Sequence, residues 1–532
     1  MEQQDLNKRL LIALALSFFV FVGFSYLFPQ QETQTATQTP QTQQVSTAAG
    51  KTVPTPASAT VTQKNITAPV VTSSEKPLVV LTSNTFKMSI DRFGRISDFE
   101  LQEDKYKNEE GKNLHILAPN EVKPLEIRFS DAGLNEEAFK TPYSYEGSKT
   151  VNVSSATQTL TFTQTLSSVT VVKTLTVKPT GEYTIDITTS VPAQYYITPG
   201  HRPMADTSRY MLVRGALIKG ADDIILTIGD GDATGNEIVK NAKIASAFDR
   251  YVASMFFNFD KGFNVSALQE KGENPLLFVE GTQALHLGGY IGPKEYKTLN
   301  AIHPELTDAI EFGWFTFLSK PFFKVLLWIN DMVGNWGWAI ILFTLLVKLI
   351  LFPLSFKGMM SMNKLKDLAP KMKELKEKYK GDPAKMNMKM MEMYKKEGAN
   401  PMGGCLPMLL QIPVFFALYR VLLNADELQG AVWISGWIDN LAAADPYYIL
   451  PILMGVSMWF QQKITPNNFT DPLQEKIFQW FPVGMAFMFI IMPFPSGLVL
   501  YWVVNNLFTI GQQYVINNAY AKQKASKLAE KK

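Results

Sequence analysis

Five apolar runs dominate the C-terminal part of this chain, at about 338–356, 404–424, 447–464, 477–494 and 497–515. Each has roughly the length a helix needs to span a bilayer. The charges between them alternate. The segment 357–400 holds twelve lysines against six acids, whereas 425–446 holds no Lys or Arg and four Asp or Glu. The stretch "QQKITPNNFTDPLQEK" is flanked by Lys463 and Lys476, the turn "FPSG" at 494–497 is uncharged, and the tail "AKQKASKLAEKK" is basic. Positive loops therefore alternate with loops lacking positive charge, as membrane insertion requires. With one further span near the N-terminus, both termini are expected on the cytoplasmic side.

The first run, "FTLLVKLILFPLSFK", contains a lysine, Lys348. A cation at the bilayer centre costs roughly 2.5–3.5 kcal/mol, so such a residue is a functional candidate. Lys348 lies nine residues before Lys357, a depth of roughly 13 Å at about 1.5 Å per residue. Pro353 stands between them and can kink the helix. Thr344, at i−4, shares the face of Lys348. The other runs have no Asp or Glu in their interiors, and their polar residues are mostly neutral: Gln411, Tyr419, Ser457, Tyr501, Asn505 and Asn506, with Arg420, also positive, near an outer end. A lone cation with neutral neighbours suggests a watered cavity whose anionic partner comes and goes. The alternative is a lysine stem that snorkels to lipid phosphate.

The N-terminal half has another texture. In "NKRLLIALALSFFVFVGFSYLFPQ", Lys8 and Arg9 precede an apolar run that ends without a small-residue cleavage pair. Residues 1–29 are therefore expected to form a cytoplasmic N-terminus and an uncleaved anchor. Residues 30–77, rich in Gln, Thr, Pro, Ala and Val, read as a disordered linker. From 78 to 304, period-2 stretches such as "ATQTLTFTQTLSSVTVVKTLTVKP" predict an antiparallel β-sandwich outside the membrane. Within it, "GDGDATGNE" resembles a calcium loop, but Asn241 stands where a bidentate Glu is required, so a hairpin loop is expected. Residues 305–336 carry Lys320, Pro321 and Lys324 among aromatics. They read as an interfacial amphipathic helix with Trp and Phe on one side and Lys on the other.

The formal charge of +3 is too small to suggest a nucleic-acid binder. One cysteine, Cys405, excludes an internal disulfide and reads as a small buried hydrophobe. The four histidines all precede residue 305 and are far apart. No zinc, nucleophile-elbow or P-loop pattern is present. No cofactor or catalytic group is expected.

The basic segment 357–400 reads as two helices broken at "KGDPAK", with Asp382 as cap and Pro383 opening the second. It carries Met359, Met360, Met362, Met372, Met386, Met388, Met390, Met391 and Met393. Methionines among lysines suit transient capture of hydrophobic segments, and Met386, Met390 and Met393 are the candidates. The pattern equally fits a solvated hairpin with Met as filler.

The stretches "GNWGWAIILFTLLVKLILFPLS", "NPMGGCLPMLLQIPVFFALY", "DPYYILPILMGVSMWFQQKITP" and "FPSGLVLYWVVNNL" resemble the YidC-type membrane protein insertases over about 300–520. The anchor and large outer domain are similar to the Gram-negative form, as is "YIGPKEYKTL". The resemblance implies a multi-domain membrane protein: an anchor, a periplasmic antiparallel β-supersandwich (78–304), an interfacial helix (305–336) and a five-span insertase core (337–515). A cytoplasmic hairpin (357–400) and a basic cytoplasmic tail (516–532) complete it. It also implies a hydrophilic groove, open to cytoplasm and lipid, lined by Lys348, Thr344, Gln411, Tyr501 and Trp502. The family has an arginine where this chain has Lys348, so charge is kept and the planar fork is lost. Trp502 stands at the second position of an aromatic pair. Implied partners are nascent membrane proteins, the Sec translocon with its accessory subunits, anionic lipid and the ribosome. The implied location is the bacterial inner membrane.

Two rival readings make different demands. A solute transporter predicts paired intramembrane charges or internal repeats, and neither is visible. A membrane-anchored periplasmic binding or sugar-processing protein predicts clustered aromatics and acids in the β domain. Asp249, Arg250, Tyr251 and Trp314 make no convincing set, and that reading leaves Lys348 unexplained.

Overall fold

The computed structural model describes residues 76–107, 110–204, 214–235, 237–397, 406–465, 472–492 and 494–529. The expected anchor and nearly all of the linker lie outside the described residues, as does Cys405.

Three sheets build the N-terminal half. The largest has eight antiparallel strands in the order Ile225–Gly229, Gly215–Lys219, Ile244–Phe248, Val252–Phe257, Ala284–Pro293, Glu182–Thr189, Thr170–Val177 and Gln158–Thr165. A five-stranded sheet runs from Glu237–Ala242 through Phe263–Gln269, Pro275–Gly281 and Tyr195–Ile197 to Ile127–Phe129. A four-stranded sheet joins Ile96–Leu101, Phe86–Ile90, Val79–Thr82 and, in parallel, Thr150–Asn152. Their inner faces share one core that includes Phe99, Phe129, Phe162, Tyr183 and Phe256.

The alternation read from the sequence is plain in Thr170–Val177, where Val171, Lys173, Leu175 and Val177 point inward. Lys173 is thus buried, and its Nζ donates to the carbonyls of Phe93, Gly94 and Leu125 at 3.3, 3.1 and 2.8 Å. The connection that follows Gly229 differs from the expected hairpin. Ile225–Gly229 pairs with Gly215–Lys219, and Glu237–Ala242 pairs with Phe263–Gln269, so the loop crosses between sheets. Asp230 in that loop is held by Arg202.

Three neighbouring strands break the alternation. Gly215–Lys219 and Ile244–Phe248 are buried throughout, and Val252–Phe257 nearly so. A sheet covered on both faces reads as a continuous apolar run. Ala216, Ile218, Ala245 and Phe256 enter the sandwich core, while Leu217, Ile244, Phe248, Ala253 and Met255 join the core of the helical half. The outer face of the large sheet is the docking surface for the helices.

The helices in chain order are α1 (Ala132–Ala138), α2 (Tyr296–Ile302), α3 (Thr316–Val333), α4 (Trp336–Ile350), α5 (Phe352–Lys378), α6 (Pro383–Glu397), α7 (Leu406–Asn424), α8 (Ile449–Ile464), α9 (Pro472–Ile491) and α10 (Ser496–Ala529). The helix expected over 305–336 occupies only α3. Pro304 opens a 3-10 turn, and a left-handed Gly313 separates that turn from the helix. Nor does α3 divide into aromatic and lysine sides. Lys324 lies exposed on the face of Phe317 and Trp328, while Lys320 folds back onto Asp308.

The run expected to be one span at 338–356 is broken. α4 ends at Ile350, Pro353 sits in the first turn of α5, and the two axes are bent by 63°. Proline cannot donate to the carbonyl four residues back and its ring clashes there, so the break falls where the sequence placed it. Among the described residues, no single helix is long and apolar enough to cross a membrane, but the bent pair α4–α5 meets those limits jointly. α10 continues past 515 to Ala529, through most of the expected tail.

Asp382 caps α6 by accepting from the Lys385 amide at 3.0 Å, with Pro383 at the first helical position. Asp382→Ala is expected to cost the hairpin about 1 kcal/mol. Amide hydrogen exchange should then quicken in the first turn of α6 and be unchanged in α4.

Candidate functional site

Lys348 lies in the last turn of α4, and only 6% of its surface is exposed. The N-terminus of α4 is fixed by Asn335, whose side chain accepts from the Trp338 amide at 3.1 Å. Lys348 Nζ donates to Gln411 Oε1 on α7 at 3.2 Å and to Thr509 Oγ1 on α10 at 2.9 Å. Gln411 Nε2 in turn donates to Asn505 Oδ1 at 2.6 Å, and its side chain also reaches the Tyr501 hydroxyl. The Thr509 hydroxyl donates to the Asn505 carbonyl at 2.7 Å. Helices α7 and α10 thus hold this α4 cation through neutral oxygens. A second polar pair, Asn506 Nδ2 to Ser457 Oγ at 3.2 Å, ties α10 to α8.

The other groove candidates surround this cluster. Thr344 is buried and returns its hydroxyl to the Ile340 carbonyl at 2.7 Å. Tyr501 is buried, and Trp502 is half-buried against Phe415 and Phe489 at ring separations of 4.9 and 5.2 Å. Lys348 therefore meets Gln411 directly and Tyr501 through it, Thr344 stands one turn away, and Trp502 belongs to an aromatic wall. Sequence reading missed Thr509. The spacing 501, 505, 509 puts it on the face of Tyr501 and Asn505, a signal that was available.

The three methionine candidates on α6 are half-buried, and Met393 packs with Tyr394 against Leu365 and Leu368 of α5. Met388 and Met391, each about half exposed at 52% and 53%, are the ones presented outward.

Apolar surface is exposed around the bundle. It includes Leu349 and Ile350 on α4, Ile452 and Val456 on α8, Trp480 and Phe487 on α9, and Leu507 and Tyr514 on α10. Exposure on this scale marks a surface made for something other than water.

A second polar cluster joins the β half to the segment after α7. Asp426 is fully buried in a 3-10 turn. The Tyr106 hydroxyl donates to its Oδ2 at 2.5 Å, and Lys105 Nζ lies 3.3 Å from the same oxygen while also pairing with Glu295. Glu427 accepts from the Tyr296 amide at 2.7 Å. Nearby, Arg250 Nε donates to the Leu423 carbonyl at 2.8 Å, and Asn424 Nδ2 donates to the Glu311 carbonyl at 2.6 Å. The loop that ends α7 is thus held by residues from four distant parts of the chain.

Burial pushes the Asp426 carboxyl up to about 6, with Lys105 opposing; burial and the Asp426 charge push Glu427 up to about 7. Asp426 Oδ1 and Glu427 Oε2 are buried without a hydrogen bond. Both groups bind protons more tightly folded than unfolded. Their contribution to stability is therefore full below the ordinary carboxylate range near about 4 and is lost as pH rises through about 6 to 7. Melting curves of the purified chain between about pH 5 and 8 should show stability falling through that window. The Asp426→Asn/Glu427→Gln variant should lose that part of the slope.

The chain matches two family models, "60Kd inner membrane protein" over residues 328–524 and "YidC periplasmic domain" over residues 257–325. A membrane protein insertase YidC from Campylobacter jejuni is 47% identical over 519 residues, 97% of each chain. One from Wolinella succinogenes is 45% identical over 534 residues, 99% of this chain and 98% of that one, and one from Helicobacter pylori is 42% identical over the whole of both. Among solved structures, an active YidC insertase with its first transmembrane domain resolved is 19% identical, covers 83% of this chain and 95% of its own, and has a TM-score of 0.35. YidC from Thermotoga maritima is 16% identical, covers 82% and 99%, and has a TM-score of 0.28. With near-complete overlap at more than 40% identity, joined to a periplasmic-domain match and an inner-membrane-protein match in one chain, this protein belongs to the YidC family of membrane protein insertases.

Proposed function

We propose that this chain inserts newly made proteins into the bacterial inner membrane, with the cluster around Lys348 as the point where a substrate's polar tail is first held. The observation that carries this is the buried ammonium with neutral partners. Gln411 and Thr509 hold Lys348 without cancelling its charge. An incoming carboxylate would bring the opposite charge that the neutral Gln411 and Thr509 oxygens lack, and would pair with the ammonium. The tail is drawn partway in, and the apolar segment that follows slides along the exposed apolar faces of α4, α8 and α9 into lipid. Transfer of that segment from water supplies the driving force. The step requires no covalent chemistry.

In this reading the runs at α4–α5, α7, α8, α9 and α10 cross the membrane with the anchor at 1–29, both termini are cytoplasmic, and the β domain is periplasmic. The α5–α6 hairpin lies on the cytoplasmic side, where Met388 and Met391 offer adaptable apolar contacts beside lysines that suit anionic lipid. Nascent chains reach the site from the ribosome, either directly or from the Sec translocon.

Reconstitution tests the reading. Purified chain in liposomes should protect a single-span substrate with a short acidic outer tail from external protease, and empty liposomes should not. Equal protection in both would refute insertion by this chain.

A further inference from the structure

We infer that the β domain carries a divalent-cation site of the zinc class, formed by Glu121, His201 and Glu270, which staples three loops at one end of the sandwich. One ligand atom from each of the three lies within 4.8 Å of the others. That spacing leaves room for a bridging ion. Neither carboxylate has a hydrogen bond or ion pair among the described residues.

The three backbones are fixed independently of any ion. The His201 amide donates to the Val122 carbonyl at 2.8 Å, which sets the histidine beside Glu121. Gly200 is left-handed, and a Cβ there would lie 2.6 Å from the Pro124 nitrogen, so the approach demands glycine. Glu270 stands where Phe263–Gln269 turns into Pro275–Gly281. Its amide donates to the Asn274 carbonyl at 2.8 Å, and the Glu273 amide donates to its carbonyl at 3.1 Å.

His201 Nδ1 lies 3.1 Å from the Arg202 carbonyl. With the proton on Nδ1, that carbonyl accepts and Nε2 keeps its lone pair, the arrangement usual for a metal-bound imidazole. The nearby guanidiniums are engaged elsewhere, Arg202 with Asp230 and Arg128 with Glu126. One imidazole and two carboxylates suit zinc and its neighbours better than magnesium, which takes oxygen ligands alone. Three protein ligands leave a fourth position to water.

The test uses the full chain purified in detergent, with zinc chloride as the probe and magnesium chloride as control. Equilibrium dialysis should find one zinc per chain and no magnesium, with a rise in the melting temperature of the β domain. Glu270→Gln and His201→Gln should each weaken zinc binding by more than about tenfold. Glu121 is exposed, so Glu121→Gln keeps the fold and should weaken binding likewise. Unchanged stoichiometry and affinity in Glu121→Gln and His201→Gln would overturn the proposal. So would no zinc uptake by the unaltered chain, or Glu270→Gln raising stability with zinc binding intact, which marks the cluster as carboxylate repulsion only.

Discussion

Lys348→Glu is expected to reduce insertion of a substrate with an acidic outer tail by at least about tenfold in liposomes. At roughly 8 Å and an effective dielectric of about 20, two unit charges interact by about 2 kcal/mol. Reversal turns that attraction into repulsion, and about 1.4 kcal/mol is already tenfold. The substitution also places a carboxylate against Gln411 Oε1, where the lysine now donates. Lys348→Arg should retain activity, since it keeps the charge and can still donate to Gln411 and Thr509. A substrate whose tail carries lysines in place of acids should recover part of the loss in Lys348→Glu. Equal losses for acidic and basic tails would mean that the charge acts by wetting the bundle and not by attraction.

The second large effect concerns the junction at Asp426. Lys105→Met leaves a fully buried carboxylate with Tyr106 as its remaining side-chain donor. Breaking a buried pair on one side costs roughly 3–5 kcal/mol. The loss should be greater near about pH 8 than near about pH 5, where Asp426 is protonated and no longer calls for a counter-ion. Adding Asp426→Asn to Lys105→Met should restore part of the stability, a coupling that a double-mutant cycle measures. Limited proteolysis at the β-half boundary would report the same loosening. Because Asn424 and Leu423 end α7, the helix that carries Gln411, loosening here should also lower insertion, though less than Lys348→Glu does.

The sequence showed the local features of this molecule well and its long-range pairs poorly. Period-2 alternation marked the strand Thr170–Val177, and Pro353 marked the break between α4 and α5. Asp382 and Pro383 marked the start of α6. Each rests on residues within a turn or two of one another. Lys348 stood out because a charge in an apolar run is costly wherever it points.

The partners were harder. Gln411, Tyr501 and Asn505 were visible as neutral polar residues, but the lysine's bonds to Gln411 and Thr509 depend on helix packing across 63 and 161 residues. Lys105 and Asp426 are 321 residues apart, and neither stands out locally. The interfacial helix was drawn too long because Pro304 and the left-handed Gly313 were not weighed against its apolar content. Which methionines face outward could not be read from the chain. Which face of a hairpin helix turns inward is set by its partner helix, and α5 offers Leu365 and Leu368 to Met393.

The central claim, that a substrate passes beside Lys348, is tested most directly by photo-crosslinking. A photoreactive residue at Thr344 or at Trp502 would be placed against a stalled, single-span nascent chain in native membranes. Strong crosslinks from both positions, lost in Lys348→Glu, are the predicted result. No crosslink from either position, while a probe in a separate translocation channel reacts with the same nascent chain, would contradict it.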